Sequence, residues 1–163
     1  MSGSLLEQHQ FTPLLYPPAT KSSVGATDII SMENYQRVTF IVGVGTVTTG
    51  GSISVRQMDS VGDTVASESR LAVDYVYENA GATSDTWTKR SADSISSYGG
   101  VTVGNSDDSR LFMFEVRASQ LSSANNCVAL YFEPSTWNTT LVSVIAIGHE
   151  ARFPQEAMIT MLA

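Results

Sequence analysis

Between Arg37 and Met58 the chain reads RVTFIVGVGTVTTGGSISVRQM, with apolar residues at every second position over much of its length. Val38, Phe40, Val42 and Val44 mark one face of a strand, and Ile53 and Val55 continue the rule in a second. This period of two excludes a helix, whose buried stripe returns roughly every 3.6 residues. A turn placed in Gly45 to Ser52 sets Val44 opposite Ile53 and Val42 opposite Val55, so both apolar rows lie on one side of a hairpin. A one-residue slip separates the rows, whereas two-residue slips keep the faces matched, so the pattern leaves the register open.

The same signal recurs downstream. Leu71, Val73, Tyr75 and Tyr77 alternate with Ala72, Asp74, Val76 and Glu78, which predicts a strand with one wet face. From Arg110 to Arg117, Phe112, Phe114 and Val116 lie on one face and Leu111 and Met113 on the other, which predicts burial on both sides. Cys127 to Glu133 reads as another strand, and TLVSVIAIGH, Thr140 to His149, is apolar on both faces and hence central. Asn79 to Ser109 is irregular, with two glycine clusters around a candidate short strand at Thr86 to Arg90 that carries Trp87. About eight strands, and no amphipathic helix of useful length, predict an all-β fold: an antiparallel β-sandwich or a jelly-roll-like barrel.

Both ends differ from this body. Residues 1–27 carry Phe11, Pro13, Leu14, Leu15, Tyr16, Pro17 and Pro18. Prolines fix φ and remove amide donors, so an extended N-terminal arm is expected there, neither helix nor central strand. It packs over the edge of its own domain or lies on a neighbouring subunit. The β-domain then occupies 28–153, and 154–163 form an apolar tail too short to span a membrane.

At 163 residues the chain is expected to bury about 70% of its unfolded surface, enough for a core without disulfide or metal. Charged residues make up only 15%, and the net charge of −7 repels phosphate backbones and anionic membranes. Neither nucleic acid nor membrane is therefore an expected partner. MSGSLLEQHQ lacks the positive and apolar regions of a secretory signal, so synthesis in the cytosol is expected.

Candidate chemistry is sparse. His9 and His149 have no metal-ligand spacing and read as an arm residue and a strand end. Asp107 and Asp108 lack the alternating ligands and closing Glu of an EF-hand and read as a solvated turn. Gly43, Gly45, Gly50 and Gly51 have no following Lys and no helix, so they serve turn geometry rather than phosphate. The lone Cys127 reads as a small buried hydrophobe. Trp87, Trp137 and Tyr98 would suit a sugar or peptide platform, or core and subunit packing. No cofactor, metal or catalytic set is expected.

The order of a Pro-containing arm, DIISMENYQRVTFIVGVG, GGSISVRQMDSVGDTVA, DDSRLFMFEVRASQL and CVALYFEPSTWNTTLVSVIAIGHEARF resembles small structural proteins encoded among tailed-phage head genes, in particular capsid decoration or cement proteins. The resemblance implies a virion protein on the capsid surface, made in the host cytoplasm. It implies a homotrimer that bridges copies of the major capsid protein. The residues expected to meet partners are Phe11, Leu14, Leu15 and Tyr16 in the arm, Trp87 in the loop region, and Phe153, Met158, Ile159, Met161 and Leu162 at the end. The alternatives are a tail or neck protein of the virion and a carbohydrate-binding β-sandwich module, with a small hydrolase more remote.

Overall fold

The alternation of Arg37–Met58 becomes two strands in two different sheets. In the computed structural model, which describes residues 9–21, 25–73, 75–79, 85–91, 100–104, 107–133 and 138–151, the first is β4 (Tyr35–Val44) and the second β6 (Gly51–Met58). β4 pairs with β11 (Arg110–Arg117) and β13 (Asn138–Ala151); β6 pairs with β10 (Gly100–Val103) and β12 (Cys127–Glu133). The expected hairpin is therefore an arch. Between the two strands the chain forms β5 (Val47–Thr49), which pairs with the start of β13, and the Val47 amide donates to Asp108 Oδ1 at 2.8 Å. At Gly50 a Cβ would stand 2.5 Å from the Val103 carbonyl oxygen, so the crossing needs glycine there. Val42, Val44, Ile53 and Val55 are buried as the alternation requires. They face one another across the core instead of lying side by side.

The larger sheet runs β1 (Gln10–Lys21), β13, β4, β11, β8 (Tyr75–Asn79), β9 (Trp87–Ser91), with β5 also on β13. In the smaller sheet the order is β10, β6, β12, β2 (Gly25–Ala26), while β3 (Ile30–Ser31) joins β12 and β7 (Ser69–Leu71) joins β6. Every ladder is antiparallel, and the two sheets make an all-β sandwich. The strands exceed the expected number because β2, β3, β5 and β7 are only two or three residues long.

One core lies between the sheets. Phe40, Phe112 and Phe114 enter from the larger sheet and Ile53, Leu130 and Phe132 from the smaller, each at 1% exposure or less. Full burial of one such side chain stabilises by roughly 1.5–3 kcal/mol. A lesser cluster of Met58, Val65, Cys127 and Ala129 packs separately from it.

Three sequence expectations are corrected here. Leu71 to Glu78 is not one strand: β7 belongs to the smaller sheet and β8 to the larger, and the change of sheet reverses which residues face inward. Leu71 and Val73 are buried, but so are Val76 and Glu78, which were expected on the wet face. β11 is buried on one side only, since Leu111 is 40% exposed; β13 is central in the sheet order, yet Ile145 is 42% exposed. Both strands lie in a sheet with a single core face.

β1 is the edge strand on β13, with register shifts after Pro13, Leu15 and Ala19. An edge position tolerates the missing amide donors; the first two shifts accommodate extra β1 residues and the third an extra β13 residue. Residues 25–27 belong to the smaller sheet. Gly25 and Ala26 pair with β12, the Thr27 amide donates to the Leu130 carbonyl at 3.0 Å, and the Leu130 amide donates to Thr27 Oγ1 at 3.0 Å.

Candidate functional site

Residues paired across antiparallel strands share a face, so the registers define what the larger sheet shows on its outer side. One rung reads Pro13, Ile145, Ile41, Met113, Tyr77, Lys89. The next reads Ser143, Gly43, Leu111, Asn79, Trp87, and on the other side lies Phe11, Ile147, Thr39, Glu115. Trp87, Leu111 and Ile145 are 39%, 40% and 42% exposed, and they are three of the four large hydrophobics exposed among the described residues. Phe11, Ile41, Tyr77, Met113 and Ile147 are half-buried beside them. An isolated exposed Leu means little, but apolar side chains on adjacent rungs form a patch that water solvates poorly. At Gly43 a Cβ would meet Ser143 Oγ at 2.7 Å and Leu111 Cδ2 at 3.5 Å. The glycine thus leaves a shallow depression of about 230 Å³ beside Leu111 and Ser143.

The patch gives way to a polar end. Arg37 pairs with Glu115 at 3.4 Å and Glu150 at 3.1 Å, and Arg117 reaches Glu115 at 3.5 Å. His149 Nε2 lies 3.0 Å from Thr39 Oγ1, and the His9 ring meets His149 edge-on with centroids 4.7 Å apart. Burial, then the Arg37 charge and His9, push the His149 pKa below its ordinary value of 6.5; Glu115 and Glu150 oppose this more weakly. Arg37, Arg117 and Glu150 also line a groove of about 640 Å³, where Glu150 holds a φ of 55°.

Other charges are structural. Glu78, 4% exposed, is ion-paired with Arg90 and Arg110, and Arg110 also reaches Asp107 at 3.0 Å. Asp107 Oδ2 accepts from the Gly104 amide at 2.6 Å and the residue is buried, so the expected solvated turn is a buried one at this position. Glu133 joins Arg56 and Arg70, with Arg56 also 4.9 Å over the Tyr131 ring. Cys127 is buried, and burial followed by Glu33, Asp63 and Asp59 raises its thiol pKa. Among the described residues there is no group of three or more His, Cys, Asp or Glu suited to a metal ion, and no helix long and apolar enough to cross a membrane.

Of the predicted contact residues, the structure brings Phe11 and Trp87 to one sheet face, on opposite edge strands. Leu14 is instead 6% exposed and part of this chain's own core. Leu15 and Tyr16 lie on β1, with side chains outside the described set. Phe153, Met158, Ile159, Met161 and Leu162 are outside the described residues, as are Trp137 and Tyr98. Sequence reasoning missed Ile41, Leu111, Met113 and Ile145 as surface residues. For Leu111, Met113 and Ile145 the signal was the second apolar face of strands taken to be doubly buried.

No family model and no curated protein matches the sequence. Solved structures similar to this chain include two at 10% identity. The crystal structure of SPBc2 prophage-derived protein YomS has a TM-score of 0.46 and covers 86% of this chain and 91% of its own. The structure of infectious bursal disease virus, Gt strain, has a TM-score of 0.19 and covers 88% of this chain and 34% of its own. Likeness at this distance leaves both fold and surface to be argued from the residues of this chain.

Proposed function

We propose that this chain is a non-catalytic structural protein of a phage virion, a capsid decoration or cement protein that docks on the major capsid protein through the outer face of its larger sheet and acts as a homotrimer. The apolar patch of Trp87, Leu111 and Ile145 with Ile41, Met113 and Phe11 is the observation that carries this reading. Its position on an open sheet face, edged by Lys89, Arg37 and Glu115, suits a protein partner better than a small molecule, which needs a concave site. The resemblance to phage head proteins supplies the partner. The low charged fraction and rigid β-scaffold agree with a protein that spends its life packed against others.

The test is co-sedimentation with assembled phage heads of wild type and of the Leu111→Lys, Ile145→Lys double variant. Both side chains are on the surface, so folding should be nearly unaffected. Binding should weaken by about tenfold or more, because charged lysines replace apolar contacts at the centre of the interface. Undiminished binding by the folded variant would remove the outer face from the account.

A further inference from the structure

We propose that the His9–His149 contact is a proton-sensitive latch that holds β1 on β13. β1 is well placed to be released as a unit. It is the last strand of its sheet, β13 is its neighbour in the sheet order, and its register shifts three times along its length. Only residues 22–24 separate it from β2 in the other sheet. His9 immediately precedes β1, before Gln10, which pairs with Gly148.

The imidazoles meet at a crowded point. His149 projects from β13 between Arg37 and Thr39 of β4, with Thr39 Oγ1 at 3.0 Å and His9 against its ring. His9 Nδ1 is buried without a hydrogen-bond partner. The charged groups facing this pair are Arg37 from β4, Glu115 from β11 and Glu150 from β13; Arg37 already engages both carboxylates, at 3.4 and 3.1 Å. Two imidazolium rings at this separation, beside a guanidinium whose counterions are shared, repel one another.

The direction of the effect follows. Docked β1 helps bury His149 and places His9 against it, and both influences disfavour the charged ring. The docked state therefore binds fewer protons than the open one. Docking is at full strength above the ordinary histidine pKa of 6.5 and weakens as pH falls through and below it, until His149 is protonated even when docked. Burial of Leu14 and Thr12 opposes release at every pH. The latch thus sets how often β1 opens without being its sole attachment.

Amide hydrogen exchange on the full chain, corrected for the intrinsic pH dependence of exchange, tests this. From about pH 7.5 to about pH 5, protection of residues 10–21 should fall by about tenfold for each unit by which docking lowers the His149 pKa, while β4 and β11 hold theirs. In the same samples, NMR titration should show His149 protonating below the ordinary histidine range, in step with the loss of β1 protection. His9→Gln should shrink the pH dependence and leave the neutral-pH protection of β4 and β11 intact. The latch is wrong if β1 protection is insensitive to pH, if the whole sandwich loses protection together, if His149 titrates at or above its ordinary value, or if folded His9→Gln protein responds to acid as wild type does.

Discussion

Glu78 sits on the inward face of β8, at 4% exposure, where the neighbouring inward residue is Val76. A lone carboxylate there would be costly to bury, and Arg90 from β9 with Arg110 from β11 supply its counter-charges. The arrangement ties three neighbouring strands at one end of the larger sheet, and Asp107 extends it into the turn before β11. Glu78→Ala strands two partly buried guanidinium groups, so it should lower unfolding free energy by about 3–5 kcal/mol in a denaturant titration. A loss below about 1 kcal/mol would show the cluster to be an ordinary surface ion pair. The sequence placed Glu78 in a strand but on the wrong face. Its parity was counted from Leu71 as though the chain stayed in one sheet, and nothing in a run of alternating residues marks a crossing between sheets.

Among the elements, β4 and β6 show where pattern reading stops. Alternation says which side chains are inward, and it was right for Phe40, Val42, Val44, Ile53 and Val55. It does not say which strand is the neighbour, because a hairpin and an arch bury the same set. The arch is decided by contacts remote in sequence, including Val47 on Asp108 and β10 on β6. Gly100 opens β10 opposite Ser54, and an added Cβ would collide with the Ile53 carbonyl, whose carbon lies 2.9 Å away, and approach Ser54 Cα at 3.2 Å. These are backbone atoms and cannot swing aside. Gly100→Ala should therefore lower the denaturation midpoint, at a cost of about 1–3 kcal/mol, with an unchanged denaturant slope. An unchanged or raised midpoint would mean that β10 does not lie this close to β6.

At the scale of the whole molecule, the main core lies between the sheets and the outer face of the larger sheet carries an apolar patch. All-β character was legible in the sequence. The patch was not, since Leu111, Met113 and Ile145 were read as a second buried face, and only the layer count of the fold turns that face into surface. The meeting of His9 with His149 was equally hidden, because residues separated by nearly the whole chain are joined only once β1 pairs with β13. The proposed role as a protein that coats an assembled shell rests on that patch. Quantitative mass spectrometry of purified phage particles carrying this protein tests that claim most directly. A copy number of the same order as the major capsid protein is the predicted result; absence from the particles, or the few copies typical of a neck or tail-tip ring, would contradict it.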